Sequence, residues 1–224
     1  MSTYVKEEEL RRISLPNNLI WIDPIDSNAV ELAKLGMEYM VGRYSHAIHS
    51  KEGGWPKAVE EQLLKYSLEH GFRKSKLPAF TEEEKALARG TADFYGLNYY
   101  TARVIRPAHG AETGPWFTDG SPEIDAILGP PPNAKTSATP VLPLSPVGLR
   151  KILSYIKQEY GDIEIFITEN GYAGGKEFSD YNRTEFIRDH LEQVLLAIKE
   201  DHVNVSSYTY WSLFDAFEWG SGYT

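Results

Sequence analysis

A single carboxylate at the end of an apolar run is the first residue whose setting suggests chemistry. The segment Ile165-Phe-Ile-Thr-Glu169-Asn-Gly171 reads as a buried β-strand that ends in Glu169 and then in an Asn-Gly turn signal. A solvated loop glutamate is the plain alternative. A second cluster weighs against it: Trp211, Asp215, Glu218 and Trp219 fall within nine residues, directly after another strand-like run. Flat aromatic faces beside carboxylates suit a ligand with apolar C–H faces and many hydroxyls, such as a sugar ring. An aromatic core patch is the competing reading. It accounts for Phe214 and Phe217 and leaves Glu218 without a role.

These residues need elements to place them. Short runs rich in β-branched and aromatic residues predict strands at Leu19–Ile22, Asp93–Tyr99, Glu164–Thr168 and Val205–Trp211. The clearest helix is Pro146–Tyr160, with Leu149, Ile152, Leu153 and Ile156 at helical spacing, Ser145 as N-cap and Gly161 as terminator. A second, Arg183–Asp201, sets Ile187, Leu191, Val194, Leu195 and Ile198 on one face, with Asn182 and Glu185 spaced as a capping box. Further helices are expected at Asn28–His46, Pro56–His70 and Glu82–Arg89. Strands alternating with helices predict parallel βαβ units in an α/β fold. In a (β/α)8 barrel the residues just past the strand C-termini face the site, where Glu169 falls. Four strands do not close such a barrel, which needs eight. The stretch Ala108–Val141, rich in Gly, Pro, Ser and Thr, is too long for a simple connection and reads as a functional surface loop or a partly disordered one.

Composition narrows the function classes. With 224 residues and 42% hydrophobic content the chain can bury one real core, so a single domain over 1–224 is the default. The net charge of −9, without a basic stripe, argues against nucleic acid and anionic membrane as partners. Cysteine is absent, which removes disulfides, thiolate catalysis and zinc–thiolate sites. The opening MSTYVKEEELRR is charged, unlike a signal peptide, and no run reaches the length of a membrane span. The chain therefore reads as cytoplasmic if this N-terminus is genuine, and as secreted only within a longer parent. The sequons at Asn182 and Asn204 matter only in that second case. His46 and His49, the only closely spaced histidines, lack the carboxylates of a metal site and read as surface or supporting residues. Gly174–Gly175 lacks the spacing of a phosphate-binding loop.

Three strings in order, ADFYGLNYYT (92–101), ITENG (167–171) and YWSLFDAFEWGSGYT (210–224), closely resemble those of family 1 glycoside hydrolases, the β-glucosidases, myrosinases and lactase-like proteins. WIDPIDS (21–27) is similar to the region of that family's fifth barrel strand, and LPAFTEEEKALARGTADF (77–94) to the approach to the sixth. The resemblance implies a (β/α)8 TIM barrel of which this chain is the second half, strands five to eight, with 108–141 as a long loop near the aglycone side. It implies retaining β-glycoside hydrolysis without a cofactor or metal. Glu169 would be the nucleophile, Tyr100 the residue that orients it, and Asn98 a polar neighbour. Trp211, Glu218 and Trp219 would bind the non-reducing sugar.

The match has gaps. The family's acid/base Glu lies in an Asn-Glu-Pro motif, and this chain has no Asn-Glu dipeptide. Its early sugar-binding Gln and His motifs are missing too, and the chain stops at Thr224 where relatives continue. A fragment is the expected explanation. Arg43, Tyr44, Ala47, Val141, Val147 and Ala216 replace residues common in relatives, Val141 where an aglycone-stacking Trp is usual. The alternative function is a non-catalytic carbohydrate- or partner-binding lactase-like pseudoenzyme. Open barrel edges would favour self-association.

Overall fold

The computed structural model describes residues 12–111, 113, 119–175, 178–214, 216–219 and 222. Its centre is a sheet of parallel strands β1 (Pro16–Pro24), β2 (Tyr95–Pro107), β5 (Ile165–Asn170) and β6 (Val205–Tyr210), in the order β1-β2-β5-β6. All four expected strands are present. Strand β2 runs well past Tyr99, because Thr101–Ile105 continues the β-branched pattern and finds partners on both sides. Its first half pairs with β5. Its distal half, Val104–Pro107, pairs with an antiparallel strand β4 (Ala126–Gly129), which forms a small hairpin with β3 (Gly120–Ser121). Part of the Ala108–Val141 stretch is thus regular structure, since the exposed end of β2 offers backbone groups to pair with. Residues 112 and 114–118 of that stretch lie outside the described residues.

Among the described residues, six helices, α1 (Val30–Met37), α2 (Arg43–His49), α3 (Lys57–Glu69), α4 (Glu82–Ala88), α5 (Pro146–Tyr160) and α6 (Tyr181–Lys199), accompany the sheet. The single helix expected over Asn28–His46 is interrupted by a π-helical turn, Glu38–Gly42. Helix α5 has the expected bounds and ends at Gly161, whose φ of 84° suits glycine. Leu149, Ile152, Leu153 and Ile156 are fully buried, contributing about 1.5–3 kcal/mol each to the core that also takes Tyr95, Leu97, Tyr99, Ile165 and Ile167.

Helix α6 corrects two expectations. Its N-cap is Asp180, whose carboxylate accepts from Arg183 N at 3.2 Å and pairs with Arg183 Nε at 2.6 Å. Asn182 sits inside the first turn, and Glu185 reaches Lys135 instead of closing a capping box. The buried face is Phe186, His190, Val194 and Ala197, while Leu195 is 52% exposed. The apolar stripe of Leu191, Leu195 and Ile198 lies about one residue, near 100°, around the helix from the packed one.

Among the described residues β1 pairs only with β2, and β6 only with β5, so the sheet is not closed. No described helix is long and apolar enough to cross a membrane.

Candidate active site

Strand β5 carries an irregularity next to Glu169. Against β2 the register runs Leu97↔Ile167 and then Asn98↔Glu169; against β6 it runs Ile167↔Tyr208 and then Asn170↔Tyr210. Both neighbours therefore see one extra residue in β5, a bulge at Thr168–Glu169. A regular strand would put Glu169 on the face of Ile165 and Ile167, which are fully buried in the core. The bulge turns it to the opposite face, with Thr168. That face is marked by Phe94 stacked on Phe166 at 4.0 Å and by Thr168 Oγ1 donating to Asn98 Oδ1 at 2.5 Å.

On this face Tyr100 Oη donates to Glu169 Oε2 at 2.7 Å. Burial raises the Tyr100 phenol pKa far above its ordinary value, and the hydrogen bond to Glu169 and the fields of Glu169, Glu218 and Tyr210 add to that shift. Tyr100 is consequently a neutral donor at any working pH, aimed at one carboxylate oxygen. Asn98 is held by Thr168 rather than by Glu169 itself.

The segment after β6 is tied to the same place. Trp211 N donates to Asn170 O at 2.9 Å, which sets Trp211 beside the end of β5. Trp211 Nε1 donates to Glu218 Oε1 at 3.1 Å. The Trp211–Ser212 peptide is cis. Glu218 N donates to Gly222 O at 2.7 Å, closing a turn in which Trp219 takes a positive φ of 47° and is 89% exposed. Phe214 and Phe217 are 78% and 63% exposed, so they do not form an aromatic core patch. They follow β6, which pairs only with β5 among the described residues. Asp215 and Tyr223 lie outside the described residues.

Other expectations shift. His46 and His49 sit among rings, His49 at 4.8 Å from Tyr95 and 6.0 Å from Tyr160, and burial pulls the His49 pKa down to about 4. They belong to the packing of α2 rather than to the surface. Val141 is 55% exposed, and its carbonyl accepts from the buried Arg103 guanidinium. In the sequence Asn170 and Gly171 carry only a turn signal. A fully buried amide next to a candidate catalytic carboxylate is recognisable only once the burial is known.

A carboxylate presented on a bulge at the end of a parallel strand is held by a neutral phenol and flanked by an indole–carboxylate pair, on a partial (β/α)8 barrel. The chain belongs to the family described as Glycosyl hydrolase family 1, which matches residues 1–224. It is 35% identical to Myrosinase 1 of Brevicoryne brassicae over 195 residues, covering 87% of this chain and 41% of that protein. It is 34% identical to the Cytosolic beta-glucosidase of Homo sapiens over 224 residues, covering 98% of this chain and 46% of the relative. Among solved structures, "Aphid myrosinase" superposes with a TM-score of 0.85 at 32% identity, covering 95% of this chain and 45% of that one. The chain thus spans less than half the length of the relatives it matches.

Proposed function

We propose that this chain carries the nucleophile-bearing part of a retaining β-glycosidase of the β-glucosidase type, with a β-glycoside as substrate. Glu169 attacks the anomeric carbon, the bond to the leaving oxygen breaks, and a glycosyl ester on Glu169 forms; water then releases the sugar with retained configuration. Tyr100 holds the attacking carboxylate through the hydrogen bond it donates to Oε2. Asn98 and Thr168 make the polar surround on the same sheet face. Trp211 and Trp219 supply aromatic surface to the non-reducing sugar, and Glu218 accepts its hydroxyl protons. A sugar without those hydroxyls leaves the Glu218 carboxylate unmatched, which gives selectivity. The segment 108–141 borders the aglycone side.

The single observation that carries this reading is the 2.7 Å contact from Tyr100 Oη to Glu169 Oε2 at the strand ends. A retaining site also needs a second carboxyl about 5–5.5 Å from the first to protonate the leaving group. No Asn-Glu dipeptide occurs in these 224 residues. We infer that the general acid comes from chain outside this sequence, and that the open edges of β1 and β6 promote self-association when the chain is alone.

The test is a series of aryl β-glucosides with leaving groups of graded acidity. Turnover by this chain is expected only for the most acidic phenols, which depart without a proton. Glu169→Gln should abolish it, and the first-formed sugar should be the β-anomer. Undiminished turnover in Glu169→Gln, or an α-anomer as first product, would overturn the proposal.

A further inference from the structure

The bulge that turns Glu169 toward Tyr100 needs something to hold it, because an extra residue leaves ladder groups unpaired. Asn170, the next residue, is fully buried on the opposite, helix-facing side. Its Nδ2 donates to Tyr99 O at 2.7 Å, one residue beyond the last β2–β5 pair, Asn98↔Glu169. Its Oδ1 accepts from Tyr208 Oη at 2.8 Å, in β6. Its backbone carbonyl accepts from Trp211 N. One side chain thus replaces the ladder across the bulge, reaching β2 on one flank and β6 on the other. The following residue allows no side chain: a Cβ on Gly171 would lie 2.0 Å from Trp211 O.

We propose that Asn170 is a positioning residue for Glu169, a buried amide clamp that locks the bulge and so fixes the nucleophile on Tyr100 and the Trp211–Glu218 pair beside it; this rests on the reading of Glu169 as nucleophile. The residue type follows from the partners. Tyr99 O requires a donor and the Tyr208 hydroxyl an acceptor, which a primary amide supplies without charge. Aspartate offers no donor and brings a buried charge, alanine leaves two buried polar groups unmatched, and glutamine adds a methylene to a filled space. Asn170 touches no substrate in this account. It acts through the direction of its neighbour.

The experiment is a coupling cycle on the full 224-residue chain, labelled with 13C at glutamate carboxyls. The Glu169 signal is assigned by its disappearance in Glu169→Gln. At one neutral pH, Tyr100→Phe should displace that signal, because the phenol hydrogen bond is removed. The same step should displace it far less in an Asn170→Ala background, with Tyr208→Phe intermediate. A merely structural role for Asn170 leaves the displacement unchanged in every folded variant, and equal displacements overturn the proposal. No displacement by Tyr100→Phe in the otherwise natural chain overturns it as well. Should Asn170→Ala fail to fold, Tyr208→Phe decides, since it removes one hydroxyl and keeps the ring. Covalent labelling by an activated 2-deoxy-2-fluoro glucoside is read in parallel. A Glu169 adduct with equal displacements would remove the clamp and leave the nucleophile. Reduced displacement with no adduct on any variant would keep the clamp and remove the glycosidase reading.

Discussion

Gly171→Ala adds one methyl group where β5 meets the segment after β6. The new Cβ would lie 2.0 Å from the Trp211 carbonyl oxygen and 3.0 Å from its carbonyl carbon. An ordinary carbon–oxygen contact is about 3.3 Å or longer, so the two segments must part by about 1 Å. Neither side yields easily: Trp211 N is bonded to Asn170 O at 2.9 Å, and Asn170 is anchored on both flanks. Overpacking of this kind costs about 2 kcal/mol, which lowers the melting temperature of a chain of this size by about 4–8 °C. If Glu169 is the nucleophile, a displacement near 1 Å between it and the Trp211–Glu218 pair should also slow covalent labelling about a hundredfold at saturating reagent. Thermal unfolding by circular dichroism and labelling kinetics by intact mass measure the two effects. Gly161→Ala is the control, because Gly161 has a φ of 84° and no atom near its Cβ position; it should lose stability and label normally. If Gly171→Ala melts and labels like the natural chain, the close approach and the coupling drawn from it are wrong.

Three other outcomes are expected. His190 is fully buried, its Nδ1 hydrogen-bonds to Phe186 O at 2.8 Å, and burial pulls its pKa from 6.5 to about 4. With the folded pKa depressed, the neutral ring is tolerated and the charged one is not, so its contribution is intact above 6.5 and is lost as pH falls toward 4. The loss approaches about 3 kcal/mol, and unfolding free energies from urea titrations near neutrality and near pH 4 should converge by that amount in His190→Phe relative to the natural chain. Tyr100→Phe should slow labelling about ten- to a hundredfold and leave the melting temperature within about 2 °C, read by the same assays. Light scattering should report a mass above the 25.3 kDa of one chain, and a proline at Ser206 or Thr209 in β6 should lower it; a monomer at every concentration would refute edge pairing.

The strands and α5 were legible because their apolar spacing is local: Leu149, Ile152, Leu153 and Ile156 point one way whatever surrounds them. What escaped depends on partners. The period-two rule sets Glu169 on the Ile165 and Ile167 face, and only the registers with β2 and β6 reveal the bulge that reverses it. On α6 two apolar stripes lie side by side, and the choice of Phe186 and His190 over Leu191 and Leu195 is made by the neighbouring elements. The β3–β4 hairpin forms on the distal end of β2, a dependence that a Gly- and Pro-rich stretch does not announce. Phe214 and Phe217 look like core by composition and stand exposed beside an open sheet. The pairing of Tyr100 with Glu169, 69 positions apart, came from family resemblance, since no local pattern links two such residues.

The most direct test of the central claim, that Glu169 is the nucleophile, is to treat the folded chain with an activated 2-deoxy-2-fluoro glucoside and map the adduct by peptide mass spectrometry. The account predicts one glycosyl group, on the peptide bearing Glu169, absent from Glu169→Gln. An adduct on another carboxylate, or one that persists in Glu169→Gln, would contradict it.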